Sequence, residues 1–403
     1  MIDETYKYQR KELELKALLE ITQAINENQS EATLINIFKF TCLVHLDIKS
    51  LILYVAKSEV FERKISHGVK RKIPQTLHSS DVIDKKESGQ LQIQLSEEYT
   101  FEELETYLPV YHKDHMLAIL FLKRKSAEQE LDLNFTQALA NILVVALENK
   151  RFARKQLEQE VLNREVAIAS QVQQMLFPAS LPNTKALKAK VTYYPHSMVG
   201  GDYYDLIEKS EDIVYFCIAD VSGKGISAAL LMSNFQAALR TLLRSDADFR
   251  VIIQQLNYTL IENTKGERFI TFFLGEYNRK TKKLRYVNAG HNPPILCWEK
   301  LLKSEILEAG TTILGAFEEL PFLEIGEREN LTNFTIHLYT DGLTEAMNPE
   351  EEEFGEERFQ SFVDLHLGMN PEDFHQEFFG QMQSFTKKVA LRDDLTLLSL
   401  RFS

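Results

Sequence analysis

Ile213-Val-Tyr-Phe-Cys-Ile-Ala-Asp-Val-Ser-Gly-Lys-Gly-Ile-Ser-Ala228 passes from an apolar run, through an aspartate and two glycines, into a helix start. The run Ile213–Ala219 predicts a buried strand, and Gly225–Leu243 predicts a helix. Asp220 then stands where the strand leaves the core, in the kind of loop that carries function. The pattern recurs. Phe334–Tyr339 precedes Asp341 in Tyr-Thr-Asp-Gly-Leu-Thr-Glu-Ala, Asp202 lies in Val-Gly-Gly-Asp-Tyr-Tyr-Asp, and Asp393 lies in Arg-Asp-Asp-Leu-Thr. Any one of these reads as a turn or a loop cap. Four at strand edges in one stretch favour a shared site. Carboxylates gathered without matching Lys or Arg repel one another, and a hard dication with oxygen ligands, Mg²⁺ or Mn²⁺, is their natural partner.

Outward from that stretch, short strands are expected at Ala189–Tyr194, Tyr203–Glu208, Ile270–Tyr277, Leu284–Val287, Pro294–Trp298 and Leu395–Phe402. Helices are expected at Asp248–Asn263, Glu357–Leu367 and Pro371–Lys388. Consecutive strands with paired helices grouped between them predict an α+β domain, a sandwich flanked by helices. Upstream, Leu133–Leu176 contains no Gly or Pro and reads as one long helix, with Leu157, Val161, Ile168, Val172 and Met175 on a seam suited to pairing with a second copy. The first 28 residues read as a helix with a seam at Leu15, Leu18, Thr22 and Ile25. Ala32–Val44 follows as a helix, then strands at Ser50–Ala56, Val60–His67 and His115–Lys123.

Composition narrows the function classes. Net charge is −13, and residues 181–403 carry 23 basic against 33 acidic side chains. That balance disfavours nucleic acid, and the cluster Arg63, Lys64, Lys70, Arg71 and Lys72 reads as a solvated loop. Apolar runs such as Ile142–Leu147 are far short of a membrane span, and the N-terminus lacks a secretory core. Cys42, Cys217 and Cys297 are scattered, which suits a reducing cytoplasm. Gly223-Lys-Gly-Ile-Ser-Ala228 matches a relaxed dinucleotide fingerprint, but a second helix follows the first where a strand is needed. A P-loop would need glycine at 218, which is isoleucine; no G-x-S-x-G elbow exists, and no cysteine has an arginine six residues on.

Residues 166–402 resemble the PPM family of metal-dependent protein serine/threonine phosphatases, in its bacterial SpoIIE-like branch. The matching blocks are Ile168-Ala-Ser-Gln-Val-Gln-Gln-Met-Leu-Phe-Pro178, Gly200-Gly-Asp-Tyr-Tyr-Asp205, Asp220-Val-Ser-Gly-Lys-Gly225, Asn288-Ala-Gly-His-Asn-Pro-Pro294, Tyr339-Thr-Asp-Gly-Leu-Thr-Glu-Ala346 and Asp393-Asp-Leu-Thr396. The resemblance implies a β-sandwich with helices on both outer faces (αββα) and an active site at one end. It further implies two Mn²⁺ or Mg²⁺ ions on Asp202, Asp220, Asp341 and Asp393, with the Val221 carbonyl as a further ligand. Catalysis would rest on Asp220, Asp202 and Asp341, through water activated by the two metals. This chain departs from animal members at Ser222, where they have a histidine, and in 194–201, which lacks their phosphate-binding arginine. His291 reads as a turn-fixing residue and Lys224 as a helix-start surface lysine.

Residues 14–150 are similar to a GAF-type sensory domain, by element order. The expected organisation is a GAF-like α/β sensor domain over 1–146, a coiled-coil-like linker over 147–180 and the phosphatase over 181–403. The expected function is a cytoplasmic, signal-regulated phosphatase, homodimeric through linker and sensor. Its partners would be a phosphoprotein of anti-sigma-factor antagonist type and an unknown GAF ligand or activating protein, with neither nucleic acid nor membrane. The alternative is a catalytically silent phosphatase-fold scaffold that acts by partner binding.

Overall fold

Alternation along each strand decides which side chains meet. The computed structural model describes residues 2–70, 72–85, 90–93, 104, 106–112, 115–125, 132–298, 303–387 and 389–403; Arg71 of the basic cluster and Lys388 lie outside them. The chain forms two units, Met1–Glu160 and Val161–Ser403.

In the first unit, helices α1 (Ile2–Asn26) and α2 (Glu31–Phe40) precede β1 (Ile48–Lys57), β2 (Val60–His67), β3 (Thr76–His78), β4 (Val82–Lys85), β5 (Gln90–Ile93), β6 (Thr106–His112) and β7 (His115–Arg124). Five strands form an antiparallel sheet in the order β3-β2-β1-β7-β6, and β4 and β5 pair separately. Leu51, Leu53 and Val55 of β1 pack with Ile21, Phe38 and Leu143 of the helices, whereas Ile52 and Tyr54 face the other side with Phe61 and Phe121. The expected helix over Ala32–Val44 divides: Ser30 caps α2 by accepting from the Thr33 N–H at 3.1 Å, and Thr41–His45 widens into a π-turn. The seam of α1 also differs from expectation. Ala17, Ile21 and Ala24 are buried while Leu15 is exposed, since the small alanines let neighbouring elements approach closely. Helix α3 (Leu133–Gln174) is one unbroken element, and the turn Val172–Leu176 tightens its end through bonds from the Met175 and Leu176 N–H groups.

The second unit begins with β8 (Leu187–Tyr194), β9 (Tyr203–Glu208), β10 (Ile213–Val221), α4 (Ile226–Arg244), α5 (Phe249–Thr264), β11 (Ile270–Asn278) and β12 (Lys283–Ala289). It continues with β13 (Ile295–Trp298), β14 (Lys303–Ile306), β15 (Gly310–Thr311), β16 (Gly326–Arg328), β17 (Phe334–Tyr339), α6 (Asp341–Thr344), α7 (Glu356–Leu365), α8 (Pro371–Thr386) and β18 (Leu395–Phe402). One sheet runs β15-β12-β11-β10-β9, with β16 beside β12, and the other runs β14-β13-β17-β18-β8. Between them Phe216, Ile218 and Phe273 meet Phe334, Ile336, Leu338, Leu398 and Phe402. On the outer faces, Tyr215, Cys217 and Ala219 pack under α4 and α5, and Tyr339, Leu395 and Leu397 pack under α7 and α8. This is the four-layer helix–sheet–sheet–helix arrangement. Helix α4 is long and apolar enough to cross a membrane by composition, but Met232, Phe235 and Leu239 bury its apolar face in this core.

A buried ion pair fixes α4 to the sheet. Asp205, 1% exposed, accepts from Arg240 Nε at 2.7 Å and Nη2 at 3.2 Å, from the Tyr203 hydroxyl at 2.5 Å and from the Leu206 N–H at 2.9 Å. Removing one partner strands the other charge. Arg240→Ala is therefore expected to lower stability by about 3–5 kcal/mol in urea denaturation; a loss under about 1 kcal/mol, the range of exposed pairs, contradicts that account.

Candidate active site

The alternation that builds the sandwich also delivers its acids. Along β10, residues 214, 216 and 218 face the space between the sheets, so Asp220 follows on that side where β10 ends. Tyr204 faces the same space, which assigns Asp202 to it. In the other sheet Leu338 leads to Thr340, and Leu398 leads back to Thr396 and Asp394. Hydrogen bonds close the end of the sandwich: Thr340 Oγ1 donates to Asp202 Oδ2 at 2.9 Å, and Thr396 Oγ1 donates to the same oxygen at 2.5 Å.

Two glycines allow the backbone to approach. A Cβ on Gly200 would lie 2.2 Å from Tyr193 Oη and 2.5 Å from Asp394 Oδ2; one on Gly201 would lie 3.0 Å from the Val221 carbonyl oxygen and 3.3 Å from Asp220 Oδ1. Asp394 accepts from the His196 N–H and the Gly201 N–H, each at 2.7 Å, and so shapes the loop before Asp202.

Asp202, Asp220, Asp341 and Asp393 are electrostatic neighbours, together with Asp394. Burial, then the charges of Asp341, Asp393 and Asp394, push the Asp220 carboxyl up to about 8, with Lys224 opposing. Burial, then Asp220, raises Asp202 well above the carboxylate range, while the two threonine hydroxyls oppose. Burial and then Asp393 raise Asp341. Lys224 is exposed just before α4, as a helix-start surface lysine would be, and also reaches the site: Nζ lies 2.8 Å from Asp393 Oδ2 and donates to the Arg392 carbonyl at 2.5 Å.

Among the described residues no three such side chains share one metal-sized point. Lys224 pairs with Asp393, and the threonines hold one oxygen of Asp202. The donors nevertheless fit Mg²⁺ or Mn²⁺: they are all oxygen, they are partly buried, and their raised carboxyl pKa values register negative charge that one lysine does not balance.

Three further residues are placed as follows. Ser222 is occupied by the adjacent strand entry, its Oγ accepting from the Phe269 N–H at 3.0 Å and its N–H donating to the Phe269 carbonyl at 2.9 Å. The His291 N–H donates to Asn288 Oδ1 at 2.8 Å, and its Nδ1 lies 2.9 Å from Thr271 Oγ1. Burial lowers the His291 pKa to about 4. Sequence reasoning missed Thr340, Thr396 and Asp394; the alternation of β17 and β18 carries the signal for their side.

Residues 210–403 match the family described as Stage II sporulation protein E (SpoIIE). The C-terminal unit is thus similar to the SpoIIE-type PPM phosphatase domains. Over 244 residues the chain is 29% identical to phosphoserine phosphatase RsbU of Bacillus subtilis (strain 168), covering 60% of this chain and 71% of RsbU. Over 184 residues it is 26% identical to phosphoserine phosphatase RsbP of the same organism, covering 45% of each, so it spans less than half of RsbP. The SiaA-PP2C domain of Pseudomonas aeruginosa aligns with a TM-score of 0.54 at 21% identity, covering 61% of this chain and 99% of that domain. The C-terminal unit therefore has the PP2C fold, and the SpoIIE family that it resembles is one of protein serine/threonine phosphatases.

Proposed function

We propose that the chain is a signal-regulated, metal-dependent protein phosphatase that removes phosphate from serine or threonine of a phosphoprotein of anti-sigma-factor antagonist type. The observation that carries this reading is the gathering of Asp202, Asp220, Asp341 and Asp393 as electrostatic neighbours at one end of the sandwich, where burial first, and then Asp341, Asp393 and Asp394, raise the Asp220 pKa. Asp202, Asp220, Asp341, Asp393 and the Val221 carbonyl would hold two Mn²⁺ or Mg²⁺ ions. Those ions would supply Lewis acidity toward the phosphoryl oxygens and a nucleophile from water at neutral pH. Asp220 is the candidate to bridge them, Thr340 and Thr396 orient Asp202, and Asp394 holds the loop in front of it.

The first unit, with helices on one face of a five-stranded antiparallel sheet, supports the reading of a GAF-like sensor for a small ligand or an activating protein. Leu157, Val161, Leu162, Ile168 and Val172 are exposed along α3, an apolar stripe that supports pairing with a second copy. The chain would then act in the cytoplasm as a homodimer. Val161→Asp with Ile168→Asp is expected to shift the chain from dimer to monomer in sedimentation velocity and to alter its activity. A dimer of unchanged strength and activity contradicts the pairing.

The test of substrate class uses an anti-sigma-factor antagonist phosphorylated on serine, with a phosphotyrosine peptide beside it. Loss of phosphate from the first alone, in Mn²⁺, supports the proposal. Binding of the first with its phosphate retained points to the scaffold alternative.

A further inference from the structure

The long helix α3 ends on the active-site loop itself. Gln173, the penultimate residue of α3, is 6% exposed. Its Nε2 donates to the Gly200 carbonyl at 2.7 Å, and the Gly200 N–H donates to its Oε1 at 3.2 Å. One side-chain amide thus copies the paired donor and acceptor of a neighbouring β-strand. It does so at a residue whose Cα has no room for a side chain, against Tyr193 and Asp394. The adjacent Gly201 N–H is held from the opposite side by Asp394 Oδ2 at 2.7 Å, and Asp202 comes next. The turn after α3 is anchored as well: Gln236 Nε2 of α4 donates to the Leu176 carbonyl at 3.2 Å, and the Phe177 ring stacks on Tyr204 with centroids 4.9 Å apart.

A two-point contact of this kind is sensitive to register. Advancing a helix by one residue moves its side chains about 1.5 Å along the axis and about 100° around it, and neither bond to Gly200 survives that step. Gln173 is the side chain of α3 that bonds to this loop. An axial or rotational shift of α3 reaches Asp202 through the backbone of Gly200–Gly201 with no other part interposed.

We infer that Gln173 is a positioning residue: it clamps the Gly200–Gly201 loop to the end of α3, and so makes the placement of Asp202, and with it the affinity of the site for a divalent cation, depend on the position of that helix. The inference rests on the reading of Asp202 as a metal ligand and specifies how that site is regulated.

The experiment uses the full chain as wild type, Gln173→Leu, Gln173→Glu and Gln174→Leu. Leucine removes both bonds, glutamate keeps the acceptor and loses the donor, and Gln174 is an exposed neighbour serving as control. Two readouts are taken: Mn²⁺ affinity by titration calorimetry, and amide hydrogen exchange over 196–203 in metal-free protein. Loss of two buried bonds is expected to speed exchange and to weaken Mn²⁺ binding by roughly ten- to a hundredfold in Gln173→Leu, with Gln173→Glu between it and wild type. Activity at saturating Mn²⁺ is expected to stay within about threefold of wild type, because the lost term is recovered by mass action. Gln174→Leu is expected to match wild type in all three. Exchange unchanged in Gln173→Leu overturns the clamp, whatever the metal does. Faster exchange with unchanged Mn²⁺ affinity overturns the link to the metal. A wild-type chain that neither binds Mn²⁺ nor releases phosphate overturns the functional reading and the metal link together, and leaves the exchange result to decide the clamp.

Discussion

Asp220→Asn is expected to lose Mn²⁺-dependent phosphoserine hydrolysis by on the order of a thousandfold or more, and at the same time to be more stable than wild type without metal. Both effects come from one cause. Asp220 lies at the end of β10 on the side facing the second sheet, and burial with three neighbouring carboxylates makes its charge costly, as its pKa of about 8 records. An amide of the same shape removes that cost and also removes the charge that would bridge two cations. The gain without metal is expected to be on the order of 2 kcal/mol, less than the full shift because the neighbouring acids relax. Added Mn²⁺ then reverses the order of stability, since binding stabilises only the form that holds the ions. Urea denaturation with and without Mn²⁺, beside a phosphate-release assay, measures all three. A variant as active as wild type, or less stable than it in chelator, contradicts the account.

Acid is expected to weaken the fold through three buried histidines. His337 on β17 and His375 on α8 share the Ser399 hydroxyl, with Nδ1 of the first at 2.8 Å and Nε2 of the second at 2.9 Å, and His375 Nδ1 lies 2.7 Å from Thr192 Oγ1. Burial lowers His337 and His375 to about 3 and His291 to about 4. Each folded pKa lies below the unfolded value of about 6.5, so their contribution is intact above pH 6.5 and is lost as pH falls toward 3–4. At pH 5.5 each histidine costs about 1.4 kcal/mol and the three about 4 kcal/mol, a large share of a typical domain's stability. The raised pKa of Asp220 works in the opposite direction in metal-free protein, since protonating a repelled carboxylate stabilises the fold. The histidine part is therefore read as a difference: between pH 8 and pH 5.5, His375→Gln is expected to lose about 1.4 kcal/mol less than wild type. Equal losses in the two proteins contradict it.

The elements that carry the site were legible because their signals are local. Leu395–Phe402 is a strand with the bounds expected from its apolar run, and the Gly- and Pro-free stretch after Leu133 is one helix. What stayed hidden depends on pairings across sequence. Period-two alternation assigns Thr340 and Thr396 to one face of their strands, yet nothing local says that this face meets Asp202, 138 and 194 residues away. Asp394 was obscured by Asp393, because the two acids are adjacent and spacing alone does not say which supports a loop. Gln173 lies on a helix read for its apolar seam, where one polar residue carries no periodic signal. The seam of α1 was misplaced by one position because alanine, a weak hydrophobic signal, is what close packing selected there.

The central proposal is that the SpoIIE-like unit hydrolyses phosphoserine with cations held by its gathered aspartates. Its most direct test is the rate of phosphate release from a phosphoserine protein by the full chain, in Mn²⁺, in chelator, and in Mn²⁺ with Asp220→Asn. The account predicts release in the first condition alone. Equal release in all three would contradict it.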